Sequence, residues 1–264
     1  MPPGSNQPAV VPRVLAHYAS CATLLDASFA GSPIVFADFP RGFHAPPRFR
    51  VTQLCLSTAR IDWLVQREYA IEFHSWAPLP GEPERLRFGR ILLEPPRADR
   101  GFAQMKEAAL VMREQLRTAA DCDAIPLLDG TGGIALWLPL LDAPLATKVR
   151  ARLQRLCARA AALHPRLLCS GALPSEKRVR LDASTNAAGQ YSPLPYSLRG
   201  TPALPVCTPV TWDELKSLRA PVVCTAESWP ARFDACGDLF AAGAAALAQQ
   251  RLRTRRPAAS ESAL

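Results

Sequence analysis

The sequence contains no long hydrophobic run. No stretch approaches the roughly 20 apolar residues that a membrane-crossing helix needs, and Met1 to Pro12 lacks the basic start and apolar run of a signal peptide. Eight cysteines are present, yet none forms a CxxC pair or a Cys/His spacing typical of a zinc site. We therefore expect a cytoplasmic protein whose cysteines are buried thiols, because a reducing compartment disfavours disulfides.

Lysine is also scarce. Lys106, Lys148, Lys177 and Lys216 are the only lysines, so arginine supplies the rest of the 31 basic residues, against 23 acidic ones. The net charge of +8 and the pI of about 9.3 favour an anionic partner, nucleic acid first, because guanidinium groups bind phosphates in a bidentate manner. A basic surface that serves only solubility is the alternative.

The spacing of apolar residues predicts an α/β (α+β) domain over residues 10–250. We expect a disordered N-terminus at residues 1–9 and a basic, disordered tail at residues 251–264. The patterns predict helices over residues 10–29, 57–68, 101–121, 146–163 and 238–250, strands over 33–38, 70–76, 85–94 and 221–225, and a hairpin over 124–141. A loop over 41–50 carries Phe43, His44 and Phe49, which are available to stack.

The helix predicted over residues 146–163 has a basic face. Its polar side carries Lys148, Arg150, Arg152, Arg155 and Arg159. A run of charges on one side of an amphipathic helix is typical of a solvated surface. We therefore expect this face to be exposed rather than to form a dedicated groove.

Residues 178–215 carry an acid and an arginine on a tightly turned stretch. Asp182 ends a strand of alternating apolar residues, Arg199 follows a second short strand, and turn-forming residues lie between them. We expect the two strands to return side by side and to bring Asp182 and Arg199 to one surface, where they could serve a metal and a phosphate. An ordinary ion pair between them is the alternative.

Several segments together resemble one protein family. The run Pro195 to Leu215, PYSLRGTPALPVCTPVTWDEL, resembles the end of the polymerase domain of bacterial DNA ligase D, where a PYS-x-R segment leads into a TPLTWDEL-like helix start. Other segments resemble further motifs of that family in the same order: Glu72 to Trp76 (EFHSW), Gly130 to Pro139, Asp182 to Gly189, and Trp229 to Phe233. The resemblance extends from Val14 to Leu239.

This resemblance implies a member of the archaeo-eukaryotic primase superfamily. The fold would be two facing β-sheets with flanking helices around a central cleft. Its activity would be template-directed addition of nucleotides to a 3′ hydroxyl in non-homologous end joining, with Mg or Mn held by acidic side chains. The implied partners are DNA ends and a nucleoside triphosphate, with a separate DNA ligase and a Ku-like end-binding protein, at the nucleoid.

The resemblance assigns a metal site that departs from the family. The family carries a D-x-D pair on the strand that here reads ILLE. Leu92 stands at the first aspartate and Glu94 at the second, while Asp182 matches the third acid. Glu94 and Asp182 are therefore the catalytic and metal-binding residues that the resemblance implies. Glu94 paired with Arg90 or Arg97 at a strand edge is the alternative.

The implied nucleotide site departs as well. His74 matches the histidine of the family's E-L-H-P-W motif, and Arg199 stands where the family has a triphosphate-contacting arginine. Asp129 falls at the family's hairpin serine and Ala135 at its histidine. An aspartate beside a triphosphate is repulsive unless a cation lies between them. For His74, a satisfied histidine of the core is the alternative.

Three functions follow. The first is a polymerase-domain homologue that binds nucleotide and DNA ends with impaired or lost nucleotidyl transfer. The second is an active polymerase or primase in which Asp129 replaces the missing acid. The third is a non-enzymatic DNA- or partner-binding module that uses the arginine-rich helix and tail.

Overall fold

The structure, a computed structural model, describes residues 7–55, 57–98, 101–171 and 175–252. Within these ranges the helices are α1 (Gln7–Phe29), α2 (Thr58–Glu68), α3 (Phe102–Ala120), α4 (Ala146–Leu163), α5 (Trp212–Ser217), α6 (Trp229–Cys236) and α7 (Leu239–Ala246). None of them is both long enough and apolar enough to cross a bilayer.

The strands form two main sheets and a small hairpin. They are β1 (Pro33–Asp38), β2 (Arg48–Cys55), β3 (Glu72–Ser75), β4 (Pro78–Leu79), β5 (Glu82–Leu86), β6 (Phe88–Glu94), β7 (Ile125–Leu128), β8 (Ile134–Pro139), β9 (Leu168–Cys169), β10 (Val179–Asp182), β11 (Ser192–Pro193) and β12 (Thr208–Pro209). The four-stranded sheet has the order β11-β3-β1-β2, and the six-stranded sheet has the order β12-β7-β8-β6-β10-β9. Strands β4 and β5 pair separately.

The alternation along β6 sends its residues to opposite faces of the six-stranded sheet. Ile91 and Leu93 pack with the buried residues of α3 and α4. Phe88 packs on the other face, beside the rings of Phe29, Trp137 and Phe240. The same inner face carries the even-numbered residues up to Glu94, so one strand leads from the core to the site described below.

A buried arginine on β6 joins the two sheets. The Arg90 Nη1 donates a hydrogen bond to the Ser75 carbonyl of β3 at 2.7 Å, and Nη2 donates to the carbonyls of Thr185 (2.7 Å) and Gln190 (3.2 Å). Burial lowers the pKa of this guanidinium to about 9, so it stays protonated at neutral pH. Its charge is met by the dipoles of these three carbonyls.

Most of the predicted elements are confirmed. β1 and α4 have the predicted bounds, and the hairpin forms from β7 and β8. The strand predicted over residues 85–94 is two strands, β5 and β6. The helix predicted over 238–250 ends at Ala246, and 221–225 forms only a bridge between Thr225 and Pro205. Helix α6 was not predicted; its proline lies in the first turn, where a missing N–H costs nothing.

The burial of two cysteines and one arginine, and the start of α1, differ from what the sequence predicts. Cys236 is exposed and Cys169 is half-buried, so these two thiols are not core residues. Arg152 is buried, so the basic face of α4 is not wholly solvated. Helix α1 begins at Gln7, inside the expected disordered N-terminus; of the expected tail only Arg251 and Leu252 lie within the described residues, and the rest lies outside them.

The pairing predicted for Asp182 and Arg199 is wrong. Asp182 ends β10, which pairs with β6, whereas the next strand, β11, pairs with β3 in the other sheet. The turn at residues 183–191 therefore carries the chain from one sheet to the other. Asn186 holds this turn, because its side chain accepts from the Arg90 N–H at 2.8 Å and donates to the Arg90 carbonyl at 2.6 Å.

We expect Asn186→Ala to reduce the free energy of unfolding by about 2 to 4 kcal/mol, because it leaves the Arg90 N–H and carbonyl unpaired in the interior. Urea unfolding measures the change. Thr185→Val is the matched control, since the buried Oγ1 of Thr185 has no hydrogen-bond partner within the described chain. Equal stabilities of the two variants would contradict this role for Asn186.

A second prediction concerns His17 on α1, whose Nε2 lies 2.8 Å from the Tyr196 carbonyl. Burial lowers its pKa to about 4, even though the hydrogen bond to Tyr196 opposes the shift. Between pH 6.5 and about 4 the unfolded chain binds a proton at this residue that the folded chain does not bind. Stability is therefore lost as the pH falls through this window, by up to about 1.4 kcal/mol per pH unit.

We expect His17→Gln to lose less stability than the wild type between pH 7 and pH 5 in urea unfolding. His44→Gln, on an exposed loop, controls for the loss of one imidazole. The same pH dependence in wild type and His17→Gln would show that His17 is not the group responsible.

Candidate functional site

A cavity of about 440 Å³ lies between the two sheets. The six-stranded sheet lines it with Leu92 and Glu94 of β6, with Ala135 of β8, and with Asp129 at the β7–β8 turn. The four-stranded sheet contributes Ser192 and Pro193 of β11. The cavity is the cleft that the sequence predicts, and it contains the positions at which this chain departs from the resembled family.

An arginine stands between the two retained acids. Glu94 lies directly across from Arg180 in the antiparallel β6–β10 register, and Asp182 lies across from Leu92. The Arg180 Nε donates to Glu94 Oε2 at 2.8 Å, and its Nη2 donates to Glu94 Oε1 and, at 3.1 Å, to Asp182 Oδ2. Hydrogen bonding to Glu94, and the charges of both acids, raise the pKa of Arg180 although burial opposes this. One guanidinium thus binds both carboxylates.

The residues beside this cluster are apolar. Leu92 faces Asp182 on one neighbouring strand and Ala135 on the other, and Ala135 faces Leu127. A row of three apolar side chains therefore continues from Asp182 across the sheet. Neither Leu92 nor Ala135 offers an oxygen or nitrogen ligand to a cation or a phosphate.

The acids present do not fit a divalent cation. Magnesium takes oxygen ligands in a near-octahedral arrangement, usually from carboxylates and substrate phosphates. The two acids at hand share their oxygens with a guanidinium instead. In the part of the chain that the structure describes, no three or more His, Cys, Asp or Glu side chains are grouped so as to hold a metal ion. Asp129 therefore does not complete a set with Glu94 and Asp182.

Asp129 instead stabilises its own turn. Its Oδ1 accepts from the backbone N–H groups of Thr131 at 2.7 Å and Gly133 at 2.9 Å. A Cβ at position 133 would lie 2.4 Å from Asp129 Oδ2, so only glycine allows this approach. The carboxylate closes the hairpin, a role that short acidic side chains often take in turns.

A second cluster lies on the four-stranded sheet. His74 Nε2 lies 3.0 Å from Glu72 Oε2, and Arg199 Nη1 lies 3.2 Å from the same oxygen. The Gly200 N–H donates to the other oxygen, Glu72 Oε1, at 2.8 Å. A Cβ at Gly200 would lie 1.9 Å from the Phe39 ring, so this close approach also requires glycine.

The charges in this cluster are balanced. Burial lowers the pKa of His74, so the neutral imidazole donates its Nε2–H to Glu72. Burial alone would raise the pKa of Glu72, but the hydrogen bond from His74 and the charge of Arg199 lower it. Arg199 Nε and Nη1 are buried and have no hydrogen-bond partner among the described residues, although Nη1 lies within ion-pair distance of Glu72. Glu72 thus holds Arg199 by charge, and two guanidinium nitrogens are left without a hydrogen bond.

Aromatic rings lie next to His74. The Phe49 ring centroid is 5.2 Å from that of His74 and 5.4 Å from that of Tyr191, and His74 and Tyr191 are 5.7 Å apart. Phe49 is 42% exposed. Phe49 lies on β2 rather than in the predicted loop and meets His74 edge-on, and its exposed area lies on the same sheet as Glu72 and His74.

The predicted site residues therefore fall into two groups. Glu94 and Asp182 are brought together by Arg180, while His74 and Arg199 are brought together by Glu72. Neither predicted alternative for Glu94 occurs, because Arg90 turns into the core and Arg97 lies 3.9 Å from Glu176. The predicted ion pair between Asp182 and Arg199 does not form either.

Sequence reasoning missed Arg180 and Glu72. A signal existed for both, since each lies two residues before a recognised site residue on the same strand. Residues i and i+2 of a strand share a face. The alternation of side chains along a strand was therefore enough to predict that Arg180 lies beside Asp182 and that Glu72 lies beside His74.

The comparisons with known proteins agree with this architecture. Residues 44–240 match the model of the LigD primase-polymerase domain. The multifunctional non-homologous end joining protein LigD of Mycolicibacterium smegmatis is 32% identical over 148 residues, which are 53% of this chain and 18% of that protein. The chain thus spans about a fifth of that relative.

A solved structure extends the match to the whole fold. The polymerase domain of Mycobacterium tuberculosis ligase D, in complex with DNA, superimposes with a TM-score of 0.76 at 23% identity, over 88% of this chain and 91% of that chain. The mixed α/β architecture is accordingly of the archaeo-eukaryotic primase type, as predicted. The family model covers well over half of the sequence, and on that ground this chain belongs to the LigD primase-polymerase domain family.

Proposed function

We propose that this protein is a DNA end-joining factor that binds DNA ends and nucleotide in the cleft between its sheets and has lost metal-dependent nucleotidyl transfer. The observation that carries the proposal is the binding of both retained acids, Glu94 and Asp182, by the guanidinium of Arg180. The cation that these two acids bind is then the Arg180 side chain and not a metal ion.

The charges at the site favour this proposal. Transfer by two divalent cations needs acidic ligands whose oxygens are free to coordinate them. Here two carboxylates and one guanidinium leave a formal charge of −1, and Leu92 removes the acid that would add to it. A cation that entered would have to displace Arg180, whose side chain is only 12% exposed and would lose two acidic partners. Glu94 and Asp182 are therefore proposed as ligands of Arg180.

The binding half of the proposal rests on the second cluster. Arg199 is paired with Glu72, but its side chain stays 19% exposed, so the guanidinium suits a second, phosphate partner. His74, neutral and oriented by Glu72, and the exposed ring of Phe49 lie nearby and suit a sugar or a base. In this arrangement Asp129 contributes turn geometry, and the retained nucleotide contacts are His74 and Arg199.

The cellular role rests on the relatives. One is named as a multifunctional non-homologous end joining protein, and another was solved with DNA. From these we propose DNA ends as the macromolecular ligand, with a separate ligase and a Ku-like end-binding protein as partners at the nucleoid. The net charge of +8 supports association with a polyanion.

We expect the wild-type protein to extend a recessed DNA end no faster than Asp182→Ala, with manganese and ribonucleotides present. Fluorescence anisotropy of the same labelled end should show binding by both proteins. Asp213→Ala, which removes an exposed acid on α5, is the matched control for loss of one negative charge. The proposed loss of catalysis would be wrong if the wild type and Asp213→Ala both extend the DNA end and Asp182→Ala does not.

A further inference from the structure

A second cavity, of about 570 Å³, lies along α4 and outside the cleft. Helix α4 lines it with Lys148, Arg152 and Arg155, and the C-terminal part of the described chain adds Arg251. Asp142 is its one carboxylate and pairs with Arg251 at 3.1 Å. Four cations and one anion therefore surround this space.

Arg152 is the unusual member of this group. It is only 9% exposed, and its Nε is buried without a hydrogen-bond partner in the described chain. Arg90 also has an unpartnered Nε, but its other nitrogens donate to three carbonyls, and Arg180 binds two carboxylates. A buried guanidinium without an anionic partner costs free energy, and an anion in the cavity that Arg152 lines would offset part of that cost.

Three of the basic residues lie on the same face of α4. Lys148, Arg152 and Arg155 are spaced i, i+4 and i+7, which places them on one face of the helix. Arg159 lies on the same helix and is exposed, but it does not line the cavity. The basic face predicted from the sequence therefore has two parts. Lys148, Arg152 and Arg155 line the cavity, and Arg159 lies outside it.

The start of α4 adds to the positive potential. Thr147 and Lys148, in the first turn, also line the cavity. That turn contains no acidic residue, and the N-cap Leu145 supplies no side-chain acceptor. The Lys148 and Val149 N–H groups donate to the Leu145 carbonyl, but the positive end of the helix dipole lies beside the cavity together with the three basic side chains.

We propose that the α4 cavity binds a phosphate group, held by Arg152 and Arg155 and by the first turn of α4. Guanidinium groups and helix N-termini both favour phosphate, and the cavity volume is ample for one. The phosphate is either a free anion or part of a nucleic-acid backbone. This inference does not depend on the proposed function, because no residue of the cleft lines the α4 cavity.

The test uses two probes on the full chain. Inorganic pyrophosphate is titrated by calorimetry, and a short labelled DNA duplex is titrated by anisotropy at several salt concentrations. We expect Arg152→Gln and Arg155→Gln each to weaken binding of at least one probe roughly ten-fold, the effect of losing a hydrogen bond to a charged group. For the duplex, the salt dependence should fall by about one counterion for each arginine removed.

Arg159→Gln is the matched control, because it removes an arginine of the same helix that lies outside the cavity. Because Arg152 is buried, thermal unfolding checks each variant, and Arg155→Gln with Lys148→Gln decides the result if Arg152→Gln does not fold. Weakened pyrophosphate binding identifies a site for a free anion, and weakened duplex binding alone identifies a backbone site.

Two results overturn the inference. One is that the α4 variants bind both probes as well as Arg159→Gln does. The other is that Arg199→Gln abolishes pyrophosphate binding while Arg152→Gln leaves it intact, since the anion would then lie in the cleft.

Discussion

The hydrogen bonds of Arg90 tie the two sheets together. This guanidinium rises from β6 and donates to β3 and to the turn that carries the chain from β10 to β11. The same turn is held to the backbone of β6 by Asn186. Because every acceptor of Arg90 is a backbone carbonyl, the link depends on the positions of the strands rather than on a titrating partner. The cleft is the space just beyond this link, toward Leu92 and Glu94.

Arg180, across from Glu94 on the neighbouring strand, makes similar hydrogen bonds with a different result. There the acceptors are carboxylates, so the guanidinium neutralises the residues that the family resemblance identifies as metal ligands. Arg90 joins the two sheets, and Arg180 occupies both retained acids. The neighbouring Glu72 keeps Arg199 oriented on the opposite sheet, which leaves phosphate-binding chemistry in place on that side. Binding without transfer is the function that we propose from these contacts.

Much of the fold was predictable because local patterns agreed with the final structure. β1, α4 and the β7–β8 hairpin follow directly from periodicity. The helix start implied by the resemblance in the TWDEL segment also forms, and the Thr211 side chain accepts from the Glu214 N–H there. Sheet membership was less predictable. The segment after Asp182 changes sheets, and no local pattern in 183–191 distinguishes that path from a hairpin. The burial of Arg152 was missed for a similar reason, since a helical face is covered or exposed according to distant segments.

The sequence named several residues of the candidate site, but it did not predict which of them contact each other. Family resemblance identified Glu94, Asp182, His74 and Arg199, and alternation could have added Arg180 and Glu72. Which arginine neutralises which acid depends on the register of β6 against β10, a long-range property. A slip of two residues in that register would place Arg180 opposite Leu92 instead of Glu94.

The most direct measurement of the central claim is a manganese titration followed by electron paramagnetic resonance, in which bound Mn²⁺ loses the signal of the free ion. We expect the wild-type protein to bind no more manganese than Asp182→Ala does. We expect the double variant Leu92→Asp, Arg180→Gln to gain a manganese site, because it restores an acid and removes the competing guanidinium. Stoichiometric binding by the wild type that is lost in Asp182→Ala would contradict the first expectation.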